Sequence, residues 1–520
     1  MAGDFESDSE GDFDLLIIGG GASGTAMLQA LAASRTSLPK RIALVERTDT
    51  LGPGLPYGPT SEPFHTMGRT RTSRHQKGAQ LRERFARAVQ SLNDTGRAQL
   101  RIFANTEAVA LEREPQGRWR LETRGHIGPV RATHVVLATG HWHVHRIEGI
   151  PRAVDWRWDV RRLHAAVADH EDVIVLGMGQ SGFDVAVSLA ERRAQLTGTQ
   201  RVGVVRLVSR SGLLPSVFGH IGDRRLSGAT RSLEALVERE GALIRLHELL
   251  EAVRSDTQSV ARTYGVEAPA DALWTPEALH AWLSARPDGV SLLRMELDEA
   301  RRSLAAQRPV PWHPVLWHGM EQFHALMPRL PAEDRLALSQ WWTPLLRQAE
   351  AIHVEAAERL LRGIDRGLIE VHAAGADLEV SEDDSRVIAR GSRGTFEGHR
   401  VIDARGPDPR IELSDDTFLK ALLAQGHVTS GRAVLLSKPT ERERAQVTPG
   451  WRITDDGAWL VTGGLWVEPQ TFGARDERGD ATRGLYALGP LTIGQFPFYA
   501  GLWAARQGAE RVVRDLSTKG

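Results

Sequence analysis

Two stretches of this chain are built alike, and that repeat constrains the fold more than any other feature. "FDLLIIGGGASGTAMLQALAA" (13–33) is an apolar run, a glycine turn and a helical pattern, and "DVIVLGMGQSGFDVAVSLA" (172–190) follows the same plan. Gly19, Gly21 and Gly24 occupy the glycine positions of a GxGxxG turn in the first copy, and Gly177, Gly179 and Gly182 do so in the second. The apolar run before each turn and the helical period after it separate both from chance matches. The first glycine permits the tight turn, the second lets a diphosphate approach the backbone, and the third lets helix and strand pack closely. The diphosphate would then rest on the amides and positive end of the helix. Gln180 and Ser181, at the start of the second helical pattern, lie by the phosphates on this reading. "GQSGF" around Ser181 is not a nucleophile elbow, because Phe183 stands where GxSxG needs glycine.

The apolar runs that follow the two turns end differently. "RIALVERTD" (41–49) ends in Glu46, 22 residues after Gly24, where a carboxylate can accept hydrogen bonds from ribose hydroxyls. "VVRLVSRSGLLP" (204–215) ends in Ser209 and Arg210, with Ser209 27 residues after Gly182. A carboxylate would repel a phosphate on the ribose, whereas a hydroxyl and a guanidinium can bind one. The first site therefore suits the adenosine half of FAD and the second reads as NADPH. A solvated Arg210, with NADH or no nicotinamide at the second site, is the alternative.

These units predict an α/β protein with two Rossmann-type dinucleotide-binding domains, the FAD domain split in sequence by the NADPH domain and by a helix-rich insertion. The expected divisions are a frayed acidic tail over 1–14, a first FAD-binding segment over 15–155, the NADPH-binding domain over 156–224, a helical insertion over 225–365 and a second FAD-binding segment over 366–520. "THVVLATGHW" (133–142, with Gly140) and "HRVIDARGPDP" (399–409, with Gly406) are apolar strands ending near glycine, and the second is read as the return to the FAD unit. "GLYALGPLTIGQFPFYAGLWAARQGAERVV" (484–513) reads as a strand, a turn at Gly489 and Pro490, and a long helix whose start could hold the flavin ribityl chain or pyrimidine edge. The insertion carries Trp274, Trp282, Trp312, Trp317, Trp341 and Trp342, and is either a substrate cap or a packing layer.

Composition removes several classes. The formal net charge is −1 and the pI about 7.1, so no basic field favours nucleic acid or an anionic membrane. No secretory signal opens the chain and no apolar run reaches the ~20 residues of a membrane span, so a cytoplasmic protein is expected. There is no cysteine, which eliminates disulfide scaffolds, thiolate metal sites and cysteine redox chemistry. His141, His143 and His145 in "GHWHVHR" alternate as metal ligands on a strand face might, but they follow the "ATG" strand directly. A loop between cofactor domains, contacting NADPH or a substrate, is the favoured reading, and no metal is expected. His313 and His318 in "WHPVLWHGM" read as a packing corner.

"TLGPGLPYG" (50–58), with Gly54 and Tyr57, resembles the Gly-x-Gly-x-Pro/Ala-Tyr-Gly element of a family of FAD- and NAD(P)-binding proteins, and "VSRSGLLPS" (208–216) and "LYALGP" (485–490) resemble its later signatures. Several members are similar to class B N-hydroxylating flavin monooxygenases, including L-aspartate N-hydroxylases. The resemblance implies FAD, NADPH, O2 and a small amine or amino acid substrate, with an unprotonated amine attacking a C4a-hydroperoxyflavin while the protein positions it and excludes water. The chain departs from such proteins after "PYG", carrying "PFHTMGRTRTS" where an apolar Leu-Leu-Asn is common. Arg69, Arg71 and Arg347 are the candidates for a substrate carboxylate. An NADPH-dependent flavin reductase or dehydrogenase, and a non-catalytic FAD/NADPH sensor, are the other readings. A homo-oligomer is compatible with any of them.

Overall fold

The computed structural model describes residues 12–519, apart from 67–71, 126, 148, 157, 197–200, 240, 270–287, 340–346, 446, 449, 497 and 499–500. The first unit begins with β1 (Asp12–Ile18), β2 (Arg41–Val45), β3 (Gln99–Phe103), β4 (Glu107–Arg113), β5 (Trp119–Arg124) and β6 (Val130–Leu137). β6, β1, β2 and β3 pair in parallel in that order, and the β4–β5 hairpin joins through β5 at the edge of β6. A parallel sheet is covered on both faces, which is why β1 is a continuous apolar run with Leu15, Leu16 and Ile17 fully buried. Helix α1 (Ala22–Ala33) leaves the first glycine turn, and α2 (Arg74–Thr95) packs beside it. β1 starts at Asp12, so the last residues of the acidic stretch read as a tail are strand.

The second unit repeats the four-stranded parallel core of the first. β7 (Val173–Leu176), β8 (Val205–Ser209), β9 (Ile369–Ala373) and, after a small antiparallel sheet of β10 (Glu379–Glu382), β11 (Val387–Gly391) and β12 (Gly394–Gly398), β13 (Arg400–Asp403) give the all-parallel order β13–β7–β8–β9. Gly19 N–H donates to Val45 O and Gly177 N–H to Val208 O, both at 2.8 Å. Ala138 N–H donates to Ile18 O and Ala404 N–H to Leu176 O, again at 2.8 Å. β13 is thus the counterpart of β6. The expectation that 399–409 returns the chain to the FAD unit is corrected: the place beside β1 belongs to β6, and this strand completes the second sheet.

The return falls later. β14 (Ser430–Val434), β15 (Arg452–Ile453) and β16 (Trp459–Leu465) make a separate sheet, then β17 (Gly473–Arg475) and β18 (Ala481–Ala487) rejoin the first, with β18 parallel to β6 in the register Leu485↔Val135. Gly489 and Pro490 open a 3-10 turn (Gly489–Thr492), and the long helix begins only at Leu502.

Within the insertion, "SLEALVEREGALIRLHELLEAV" forms two helices, Arg231–Glu238 and Leu246–Tyr264, separated by a turn in which Gly241 has φ +68°. Leu233, Leu249, Val253, Val260, Val315 and Phe323 form its core together with Phe498 from the C-terminal segment. His324 stacks on Phe496 at 4.6 Å, and burial lowers its pKa to about 3. Trp312 packs on this core, and Trp317, on the same helix, meets Phe218; Trp274, Trp282, Trp341 and Trp342 lie outside the described residues. His313 is buried against Phe218 and Trp312, as a packing corner requires. No helix among the described residues is long and apolar enough to cross a membrane.

Candidate functional site

Both glycine turns point into one cavity of about 2890 Å³. A pocket for a drug-sized ligand is at most roughly 1,000 Å³, so the space suits two dinucleotides and a smaller third molecule. In the first cradle, α1 starts at Gly21 with no side chain capping its amides and no acid in its first turn. A Cβ on Gly24 would overlap the carbonyl of Gly19, so the helix and strand touch there as the motif demands. Gly54 faces Gly21 with φ +66°, and Tyr57 follows on the same loop. Glu46 is held in place by the Gly20 N–H on Oε2 (2.8 Å) and by the Thr48 N–H and hydroxyl on Oε1 (both 3.0 Å). The cradle fits a ribose and diphosphate: uncapped amides, close glycine backbone and a fixed carboxylate.

The second cradle has the same components. Helix α3 (Gln180–Ala194) starts at Gly179, again with no side-chain cap and no acid in its first turn. A Cβ on Gly179 would meet no protein atom within 4 Å, so this turn is open to a ligand. Because Val45 and Val208 receive equivalent hydrogen bonds, the next residues, Glu46 and Ser209, are geometric equivalents. Ser209 Oγ accepts the Gly212 N–H at 3.0 Å, leaving its O–H to donate. Arg210 is exposed and its guanidinium has no partner among the described residues. Arg393, at the tip of the β11–β12 hairpin, lines the same cavity and packs on Gly375, whose N–H donates to Arg210 O at 3.1 Å. Nothing local in the sequence marked Arg393.

His65 and Thr66 of the departing "PFHTMGRTRTS" segment, and Arg74 just after it, join the two units. His65 Nε2 lies 2.7 Å from Ser188 Oγ and 3.2 Å from Asp184 O on α3, and Gln180 Nε2 donates to Thr66 O at 3.1 Å. Burial lowers the His65 pKa. Arg74, the first residue of α2, donates from Nε to Asp184 Oδ2 at 3.0 Å, with side chains 10% and 1% exposed. Removing one partner of a buried ion pair strands the other charge, at about 3–5 kcal/mol. Asp184→Ala is therefore expected to lower stability by about that much in denaturant unfolding of the FAD-loaded protein, and Asp184→Asn by less. A loss within about 0.5 kcal/mol, usual for an ordinary surface site, would refute this role.

Arg74 lines the cavity, and its positive charge reaches Tyr57, His141 and Glu350. Burial raises the Tyr57 phenol pKa, and burial followed by the Arg74 charge lowers His141 to about 4, so its imidazole is neutral near pH 7. His141 sits 5.5 Å from Trp158, and Gly140 opens onto the cavity beside it. His143 and His145 lie in the loop after β6 rather than on a strand, and both point at Asp415 Oδ2, at 3.1 Å each. Arg347 cannot serve a substrate carboxylate as expected, because Glu296 binds it bidentately (2.7 and 2.5 Å) and Leu214 O takes its Nε at 2.6 Å. Arg69 and Arg71 lie outside the described residues.

Two parallel-sheet units with paired dinucleotide cradles define a flavin- and nicotinamide-dependent oxidoreductase. The chain belongs to the pyridine nucleotide-disulphide oxidoreductase family, which matches residues 13–274, and FAD and NAD(P)H are the cofactors of that family. Residues 277–349 match the YdhS-like middle domain. An Escherichia coli (strain K12) protein described as uncharacterized protein YdhS is 23% identical over 563 residues, covering 96% of this chain and 97% of its own. Among solved structures, a Kutzneria sp. 744 ornithine N-hydroxylase is 13% identical with a TM-score of 0.44 over 98% of this chain and 100% of that one. A Bacillus cereus bacillithiol disulfide reductase is 12% identical with a TM-score of 0.44, also over 98% of this chain and 100% of that one.

Proposed function

We propose that this protein is an NADPH-dependent flavin monooxygenase that N-hydroxylates a small amine or amino acid. The observation that carries the reading is the cavity beyond the two glycine turns, walled by Tyr57, His141, Trp158, Phe218, Trp317 and Glu350, in a chain with no cysteine to receive electrons. Without a thiol pair, disulfide reduction through the protein is impossible, and electrons must pass to a molecule held in that space. FAD, when bound, supplies the ring that accepts hydride from NADPH and reduces oxygen. Gly19, Gly21, Gly24 and Glu46 hold its adenosine end, with Gly54, Tyr57, Gly140, Gly489 and Pro490 along its length. Gly177, Gly179, Gln180, Ser181 and Gly182 hold the NADPH diphosphate, and Ser209 and Arg210 its ribose phosphate. The neutral His141 and the aromatic walls keep water from the reacting atoms.

In the overall reaction NADPH supplies two electrons, one oxygen atom goes to the amine nitrogen and the other leaves as water. Incubated with NADPH, air and a panel of primary amines and amino acids, the FAD-loaded protein is expected to consume oxygen with at least one of them and release a hydroxylamine in step with NADPH oxidation. Turnover with an artificial organic acceptor under anaerobic conditions, combined with no amine-dependent oxygen uptake across the panel, would instead establish a reductase.

A further inference from the structure

Of the several acidic side chains that line the cavity, Glu350 is used by neither cradle and is held by no neighbour among the described residues. Glu350 lies on the segment 347–352, which backbone bonds fix against 214–218: Ser216 N–H to Arg347 O (3.2 Å), Ile352 N–H to Ser216 O (2.8 Å) and Phe218 N–H to Ile352 O (3.0 Å). The Arg347–Glu296 pair anchors the start of this segment. Ala349 and Ala351 on either side are buried, whereas Glu350 is exposed to the cavity that all three line. Among the described residues its carboxylate has no hydrogen-bond or ion-pair partner. Protein surrounds the side chain even so, and burial raises its pKa while the Arg74 charge opposes the rise. The exposed surface of Glu350 lines the cavity.

An unpaired carboxylate on a cavity wall offers a charge-assisted hydrogen bond to a cation. Arg74, bonded through Nε to Asp184, acts on Glu350 through its charge but makes no hydrogen bond or ion pair with it among the described residues. Aromatic and apolar side chains line the same cavity: Phe218 and Trp317 meet edge to face at 5.9 Å, and Met320 and Met327 also border the space. Aromatic rings attract cations and bury the hydrocarbon attached to them. We propose that Glu350 anchors the ammonium group of a primary amine substrate, whose apolar body lies against the Phe218–Trp317 wall, and that the carboxylate takes up the ammonium proton before the nitrogen reacts. The assignment rests on reading the cavity as the substrate compartment of an amine-oxidising flavoenzyme, but binding, not turnover, tests it.

Calorimetric titration of the FAD-loaded protein at neutral pH with benzylamine, which is then protonated, and with benzyl alcohol, of similar shape without the charge, isolates the interaction. The amine is expected to bind about tenfold or more tightly than the alcohol, the size of one charge-assisted pairing. Glu350→Gln should abolish that preference and leave alcohol affinity unchanged, with FAD content and unfolding midpoint reporting that the variant is folded. Glu350→Asp, which keeps the charge at a shorter reach, should retain some of the preference and carries the test if the glutamine variant does not fold. Equal binding of the two probes to the unaltered protein, no saturable binding of benzylamine, or a preference that survives Glu350→Gln would overturn the assignment. Should the preference depend on Glu350 while no amine supports oxygen uptake, the anchor stands and the monooxygenase reading falls. Should hydroxylation occur with the preference intact in Glu350→Gln, the anchor alone falls.

Discussion

Gly179→Val is expected to give a folded, yellow protein whose flavin NADPH no longer reduces at ordinary concentrations. Gly179 has φ −71° and ψ −171°, extended backbone open to any residue, and a Cβ there meets no protein atom within 4 Å. The added Cβ therefore meets no steric conflict, and the loss of glycine at the N-cap costs only helix-start stability. What the valine methyls fill is the space through which a diphosphate would reach the amides at the start of α3. Losing that approach should weaken NADPH by about 100-fold or more, some 3 kcal/mol. The neighbouring glycine gives the contrast. A Cβ on Gly182 would overlap the carbonyl of Gly177, so its substitution disturbs helix–strand packing and confounds folding with binding. Anaerobic stopped-flow bleaching of the flavin against NADPH concentration measures the effect in Gly179→Val. A concentration dependence identical to that of the unaltered protein would mean that the diphosphate is not held at this turn.

The features of the site legible in the sequence are those whose geometry is local. A GxGxxG turn spans six residues, and the next apolar run ends at Glu46 in one copy and Ser209 in the other, so both could be placed before any contact was known. The strands before Gly140 and Gly406 were legible as strands, but not by sheet. Their local patterns are alike, and only pairing decides that one lies beside β1 and the other beside β7. Arg74 was hidden among the arginines of "RTRTSR", because its role depends on Asp184, 110 residues away on the other unit's helix. Asp415 meets His143 across 272 residues, and Arg393 reaches the second cradle from a hairpin tip with no pattern of its own. Glu350 stands out only once the packing of 347–352 on 214–218 turns it toward the cavity. Arg347 shows the converse: a cation plausible in the sequence was consumed by a buried Glu296 that periodicity marks as ordinary helix.

Arg210→Glu is expected to raise the KM for NADPH about 100-fold while changing that for NADH by less than about threefold, with FAD content unchanged. Two arginines lie by the end of β8: Arg210 itself, exposed and without a partner among the described residues, and Arg393, whose side-chain stem packs on Gly375 and which lines the same cavity. The Ser209 hydroxyl, fixed by the Gly212 N–H, supplies a neutral donor between strand end and solvent. A charge-assisted hydrogen bond is worth about 1.5–3 kcal/mol, and the reversal replaces that attraction with repulsion at the same atom. Arg393→Ala removes one of two cations and leaves the other, so a loss of about tenfold in NADPH is expected there. Because both groups are solvent-facing, the NADPH-over-NADH preference of the unaltered protein should also shrink as ionic strength rises, whereas a preference set by packing would not. If Arg210→Glu weakens both nicotinamides equally, the ribose phosphate is not bound at this strand end. The structural equivalence of Ser209 with Glu46 would then describe the fold without describing cofactor choice.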